Sequence, residues 1–235
     1  MTTPPPQELI DFAGALADAA RPVIRRHFRT PVAVDIKPDA SPVTIADRDA
    51  ETAMRALIEA RYPEHGIIGE EHGAMRADAE WCWVLDPIDG TKAFIAGKPI
   101  FSTLIALVEG GEPVLGIIDQ PVLGERWLGS AGQPTLFNGK PVHTRPCTEL
   151  SQAILNATTP DMFTGQDATA FQALGARAAM TQYGGDGYAY GLLASGFIDL
   201  VAEADLKPYD FAALLPVITG AGGAVSDWQG QPMRL

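Results

Sequence analysis

Apolar residues fall into two rhythms along this chain, and the change from one to the other separates helices from strands. From Gln7 to about Phe28, Leu9, Phe12, Ala13, Leu16, Ala19, Ala20, Val23 and Ile24 recur three and four residues apart. That spacing predicts an amphipathic helix, which Pro22 should bend or interrupt. Val32 to Lys37 alternates like a strand, and Pro38 to Pro42 reads as a loop bounded by prolines. A second helix is expected from about Val43 or Thr44 to Tyr62, burying Ile45, Ala50, Met54, Leu57 and Ile58. Two short apolar runs, Gly66–Gly69 and Trp81–Asp86, read as buried strands, with Pro87 expected to end the second ladder. Phe101–Glu109, Pro113–Gln120 and Glu125–Gly129 follow as an antiparallel meander, with Gly110-Gly111 as a hairpin turn.

Residues 131–146 are rich in Gly, Pro, Asn and Lys and mark the expected boundary between an N-terminal half, 1–140, and a C-terminal half, 141–235. Beyond it, Ala153–Ala157, Ala178–Tyr183, Ile198–Ala202 and Ala224–Asp227 read as strands. Helices are expected near Phe171, from Tyr188 to about Ser195, and from Phe211 to Ala221.

Composition narrows the classes of function. With 46% hydrophobic and 20% charged residues, the 235-residue chain is that of an ordinary globular protein. A net charge of −12 argues against a nucleic-acid partner, which requires clustered Lys and Arg. An acidic surface suits a ligand with a positive group. No window is apolar enough to span a bilayer, and Met1-Thr-Thr-Pro-Pro-Pro lacks the features of a signal peptide, so a cytoplasmic protein is expected. Cys82 and Cys147 form no disulfide framework and lack metal-ligand spacing.

The chemistry concentrates where apolar runs end in acids. Trp81-Cys-Trp-Val-Leu-Asp86 closes on Pro87-Ile-Asp89-Gly90-Thr91-Lys92, so Asp86 and Asp89 sit at a strand end, before a turn that opens a helix. Free N–H groups at such a helix start suit a phosphate. Two carboxylates would repel that phosphate unless a divalent cation lay between them, and hard oxygen ligands favour Mg2+. Asp is also a common turn residue, so this stretch alone leaves turn and metal site evenly balanced.

Gly66-Ile-Ile-Gly-Glu70-Glu71 repeats the design; neighbours on a strand face opposite sides, so one acid can point into a site, with Glu70 the expected ligand and Glu71 more peripheral. Asp47 stands three residues after Thr44 and Asp210 begins the last helix, so helix capping accounts for either one on its own. Gly184-Gly185-Asp186-Gly187 precedes a helix, and neither dinucleotide nor P-loop signatures occur in the chain.

Taken together, Glu70-Glu71, Asp86-Pro-Ile-Asp89-Gly90-Thr91 and Tyr209-Asp210 resemble the signature set of the inositol monophosphatase family of metal-dependent phosphatases. The resemblance runs from Lys37 through the final helix. It implies an α/β fold layered as αβαβα, a homodimer, and two or three Mg2+ ions, with Mn2+ able to substitute. Carried over by position, Glu70, Asp86 and the Ile88 carbonyl would hold the first ion, Asp86, Asp89 and Asp210 the second, and Glu70 a weaker third. Asp47 and Thr91 match the pair that orients the attacking water, with Glu70 part of the catalytic set. Gly90 and Thr91 match the phosphate-binding turn.

The wording of Asp89–Phe101, Gly184–Gly191 and Leu206–Asp210 resembles the histidinol-phosphate phosphatase branch, which serves histidine biosynthesis. Asp186 falls where inositol-specific members carry a small residue, and Glu203 falls at the substrate's non-phosphate end. Two acids there suit the ammonium of an amino-alcohol phosphate. Asp186 as the cap of the following helix is the structural alternative. With Asp89, Gly90, Thr91, Gly184 and Asp210, these two acids make up the expected substrate-binding set. Other readings are an inositol-1-monophosphatase, a broad sugar or nucleotide phosphatase, a phosphatase with an aspartyl nucleophile, and a non-catalytic metal-binding or interaction protein. The Asp spacing disfavours the aspartyl nucleophile. The chain also stops short of the length the resemblance implies, which puts a terminal strand or hairpin in question.

Overall fold

The computed structural model describes residues 4–37, 41–233 and 235. The Pro38–Ala40 part of the expected loop and the N-terminal Met1–Thr3 lie outside the described residues. The first half contains α1 (Gln7–His27), β1 (Val34–Ile36), β2 (Pro42–Thr44), α2 (Ile45–Arg61), β3 (Gly66–Gly69), β4 (Gly73–Met75), β5 (Trp81–Asp89) and α3 (Thr91–Ile95). The meander follows as β6 (Ser102–Glu109), β7 (Glu112–Gln120) and β8 (Glu125–Ser130), with short β9 (Leu136–Phe137) and β10 (Lys140–Pro141). Then come β11 (Ile154–Ala157), α4 (Gly165–Gly175), β12 (Met180–Tyr183), α5 (Asp186–Ala194), β13 (Leu200–Val201), α6 (Pro208–Phe211) and α7 (Leu214–Gly220).

These elements stack in five layers. An eight-stranded mixed sheet of order β10-β9-β8-β7-β6-β5-β3-β4 carries α1 and α2 on one face and α5, α6 and α7 on the other. A second sheet, β12-β11-β13, is parallel and packs on α5, while Phe171 of α4 covers Leu155 on its far side. The αβαβα fold is therefore present. Strand β5 explains why its sequence is continuously apolar. Trp83 and Leu85 face the core under α1 and α2, whereas Cys82 and Val84 face the core under α5 and α7. Both sides of the strand are buried, and Phe12 packs edge-on against the Trp83 ring at 5.5 Å.

Several expectations are corrected. Helix α1 continues through Pro22, which lies on its exposed side, where the carbonyl freed by the missing N–H can be hydrated. Ile45 and Leu57 are 45% and 37% exposed, because the inward face of α2 is made by Ala46, Ala50, Met54 and Ile58 together with Asp47 and Glu51. Pro87 does not end β5: pairing with β6 resumes at Asp89 after a bulge, and β3 pairs only as far as Leu85, so no neighbour needs the missing N–H. The last helix is two, α6 and α7, separated by a turn at Ala212–Ala213. Residues 224–227 form no strand; Asp227 instead caps a turn by accepting from the Gln229 and Gln231 N–H groups. No helix among the described residues is long and apolar enough to cross a membrane.

Candidate active site

The bulge in β5 is what turns two carboxylates toward one place. On a regular strand, residues three apart would point to opposite faces. Here the register shift between Asp86 and Asp89 brings both to the same side. The Thr103 hydroxyl of β6 holds the bulge by donating to the Pro87 carbonyl at 2.8 Å. Asp210 reaches the same point from the first turn of α6, so that one carboxylate oxygen each from Asp86, Asp89 and Asp210 lies within 4.8 Å of the other two. Its other task is local, as the Lys207 N–H donates to its Oδ2 at 2.6 Å.

The electrostatics of this cluster are those of an acid trap. Asp86 is 2% exposed, and its Oδ1 has no hydrogen-bond partner among the described residues. Burial, followed by the charges of Glu70, Asp89 and Asp210, pushes its carboxyl well above the usual range. Asp89 is pushed up in the same way by burial and then Asp186, Asp210 and Glu203, although the Gly187 N–H donates to its Oδ2. Asp210 is raised to about 6, chiefly by burial. Mutually repelling carboxylates, one buried and two half-buried, are costly unless a cation joins them. A donor set made only of carboxylates and a nearby carbonyl fits a hard divalent ion.

Glu70 is brought to the edge of this cluster, where it acts on Asp86, but its Oε1 accepts from the Lys37 ammonium at 2.8 Å. Glu71 accepts from the same ammonium at 2.5 Å and its side chain is only 3% exposed. Glu71 is thus peripheral to the carboxylate cluster, but it does not face opposite to Glu70 as strand alternation implied. Strand β3 ends at Gly69, so Glu70 and Glu71 lie on a turn and strand alternation does not apply to them. Burial opposes the positive charge of Lys37, yet the two carboxylates hold its pKa above the ordinary lysine value.

Asp47 combines both roles weighed for it. Its Oδ2 accepts from the Thr44 N–H at 2.9 Å and the Thr44 hydroxyl at 2.6 Å, closing a capping box at the start of α2. Its Oδ1 faces the Thr91 hydroxyl at 3.3 Å, and that hydroxyl also lies 3.1 Å from the Ile88 carbonyl. Asp47 is fully buried, and burial raises its pKa. Gly90 has φ +91°, a conformation that side-chain-bearing residues adopt only with strain, and it leads into α3 with Thr91 as the first helical residue.

At the other end of the site, α5 starts at Asp186 itself, with Gly185 before it and no side-chain cap. Asp186 is thus not the cap of this helix. Its φ is +43°, and a Cβ built on Gly90 would lie 2.8 Å from its Oδ2, so its carboxylate hangs over the Gly90 turn. Burial and then Glu203 raise Asp186 to about 7. Glu203 is held by the Thr158 hydroxyl and by the Tyr190 hydroxyl at 3.0 Å, with burial pushing it up. The Gly184 carbonyl accepts from Asn156 at 3.0 Å beside this acid pair. Lys37, Thr158 and Tyr190 had no place in the sequence reading. Tyr190 stands four residues after Asp186 on one helix face, which is a weak signal, whereas the contacts of Lys37 and Thr158 span 33 and 45 residues.

Comparison with known proteins decides what this constellation belongs to. Residues 6–235 match the inositol monophosphatase family. The chain belongs to that family. Members of the family are phosphatases that use divalent metal ions; this chain is a phosphatase of the family, and its acidic cluster is compatible with such ions. It is 53% identical over 229 residues to the bifunctional phosphatase IMPL2, chloroplastic, of Arabidopsis thaliana, covering 95% of this chain and 66% of that protein's length. A histidinol-phosphatase of Chlorobaculum parvum is 33% identical, with 94% of this chain and 86% of that one covered. A solved inositol monophosphatase from Zymomonas mobilis superposes with a TM-score of 0.89 at 52% identity, covering 97% of this chain and 88% of that one.

Proposed function

We propose that this chain is a Mg2+-dependent phosphomonoester hydrolase whose substrate alcohol carries a positive amine, and that this substrate is L-histidinol phosphate. The observation that carries the reading is the pair of half-buried acids, Asp186 and Glu203, beside the three-carboxylate cluster. An inositol has no positive group to justify that pair, whereas an ammonium would relieve the repulsion between the two acids through charge-assisted hydrogen bonds. The names of the relatives, which include histidinol-phosphatases, support the same choice.

In this reading Glu70, Asp86 and the Ile88 carbonyl would hold one ion, Asp86, Asp89 and Asp210 a second, and Glu70 would share in a third, weaker one. When bound, the ions would supply Lewis-acid stabilisation of phosphoryl oxygens and would lower the pKa of a water. The chain's own residues do the rest. Thr91 and Asp47 form a relay at 3.3 Å that can orient a water and take up its proton. Asp47 Oδ2 is occupied by Thr44, so Oδ1 is the oxygen available for that task. The Gly90–Thr91 turn presents backbone N–H groups to the phosphate. Glu203, fixed by Thr158 and Tyr190, orients the amine end, with Asp186 beside the Gly90 turn. Phosphoryl transfer depends mainly on such positioning and charge neutralisation.

Phosphate release from histidinol phosphate, an inositol phosphate and an adenosine bisphosphate, assayed side by side with Mg2+, tests this. The proposal expects kcat/KM for histidinol phosphate to exceed the others by at least about tenfold, since one charge-assisted contact contributes about 1.5–3 kcal/mol. Equal or higher kcat/KM for the inositol phosphate would overturn it.

A further inference from the structure

Helix α2 carries a second buried acid that no step above uses. Glu51 is fully buried, one turn after Asp47, and its carboxylate is directed at the loop that follows β3 and not at the apolar core. Its Oε2 accepts from the Glu71 N–H at 2.7 Å, and its Oε1 accepts from the His72 N–H at 3.1 Å and from Arg55 Nε at 2.7 Å. The other arm of Arg55 donates to the Gly73 carbonyl. Together the two side chains hold the turn at Glu71, His72 and Gly73. Strand β3 enters this turn after Gly69, and there the brace lies so close that a Cβ on Gly69 would sit 2.0 Å from Glu51 Oε1. A side chain at residue 69 would push the brace away.

A buried carboxylate is an expensive way to stabilise a helix, since alanine at the same place would carry no desolvation cost. What Glu51 does that alanine could not is hold the backbone immediately after Glu70. We propose that the Glu51–Arg55 pair is a positioning brace for the Glu70 carboxylate, setting how tightly the site binds its divalent cation. This rests on the metal-dependent reading above. Partners one step removed from the ligands orient those ligands, and losing one typically lowers metal affinity about 10–100-fold.

The test is calorimetric titration of Mg2+ into metal-free wild type, Glu51→Ala, Glu51→Gln and Gly69→Ala, with urea unfolding of each. Wild type should bind saturably. Glu51→Ala and Gly69→Ala should lose about 10–100-fold in Mg2+ affinity, and Glu51→Gln less, since its amide oxygen still accepts one N–H. The Mg2+ concentration for half-maximal phosphate release should rise by more than kcat at saturating Mg2+ falls. If Glu51→Ala does not fold, Glu51→Gln and Gly69→Ala decide. Wild-type affinity in the folded variants overturns the brace and leaves the phosphatase reading intact. A loss of affinity that merely follows stability, and is equally large in Asp119→Asn, which lies under α1 on β7 and outside the carboxylate cluster, also overturns it. Absence of Mg2+ binding by wild type removes the metal reading itself, and the brace with it.

Discussion

Two aspartates are buried to almost the same degree, and they live in opposite surroundings. Asp119, 1% exposed on β7, is gripped by Arg21 at 2.6 and 3.2 Å and by Arg126 at 2.6 Å, so both of its oxygens are satisfied within the chain. Asp86, 2% exposed on β5, has an oxygen with no hydrogen-bond partner among the described residues and acids for neighbours. The first arrangement is complete as folded and ties α1 to the sheet. The second gathers like charges, the surroundings that the proposed cation would neutralise. Burial alone does not separate a structural acid from a functional one; the sign of the charges around it does.

The sharpest way to break this contrast is to neutralise each residue in turn. Asp86→Asn should lower kcat by at least about a thousandfold, because it removes a ligand oxygen shared by two proposed ions, while leaving the metal-free protein as stable as wild type or more so. Asp119→Asn should do the reverse. It should cost about 3 kcal/mol in urea unfolding, at the low end for a broken buried pair because Arg21 and Arg126 keep some access to water, with kcat unchanged in the folded protein. If Asp86→Asn strongly destabilised the metal-free protein, the two sites would not differ as argued.

Next in size is the Thr91–Asp47 relay. Thr91→Ala should lower kcat about 10²–10⁴-fold with little change in KM, and Thr91→Ser should restore most of it. A rise in KM at constant kcat would make Thr91 a phosphate-binding residue only. At the substrate end, Asp186→Ala should raise KM for histidinol phosphate about 10-fold or more and leave KM for a neutral phosphate ester nearly unchanged. An equal change for both esters would remove Asp186 as the specificity element.

The smallest expected effect is in stability against pH. Asp186 and Asp210 are raised from 3.8 to about 7 and about 6, so between about pH 4 and pH 7 the folded metal-free protein binds more protons than the unfolded chain. Stability from this cluster is therefore fullest below about pH 4 and falls as pH rises through 7. In EDTA, Tm should drop over that window, and Mg2+ should flatten the drop. A metal-free Tm that rose with pH by virtue of these residues, as shown by Asp186→Asn abolishing the rise, would contradict it.

The fold was legible where one element decides its own pattern. The periodicity of α1 and the doubly apolar strand β5 announced themselves, as did the meander from β6 to β8. Pro87 misled because a bulge, and the lack of a partner on one side, made its missing N–H harmless. Ile45 and Leu57 misled because α2 turns Asp47 and Glu51 inward, and a buried acid looks polar to any periodicity argument. At the site, Asp86, Asp89 and Asp210 were legible because acids at strand and helix ends, in that order, carried the family resemblance. Glu51, Lys37 and Thr158 were not, since their meaning lies in contacts with residues far along the chain. Glu70 and Glu71 were read as strand neighbours when they are turn neighbours, and for that reason both reach Lys37.

The most direct measurement is Mg2+ titration of metal-free wild type and Asp86→Asn, followed by Tm. Wild-type Tm should rise with Mg2+ concentration, by roughly RT ln(1 + [Mg2+]/Kd) in free energy, and Asp86→Asn should lose most of that gain. Equal gains in both proteins, or none in either, would contradict the claim that the buried acids exist to hold a cation.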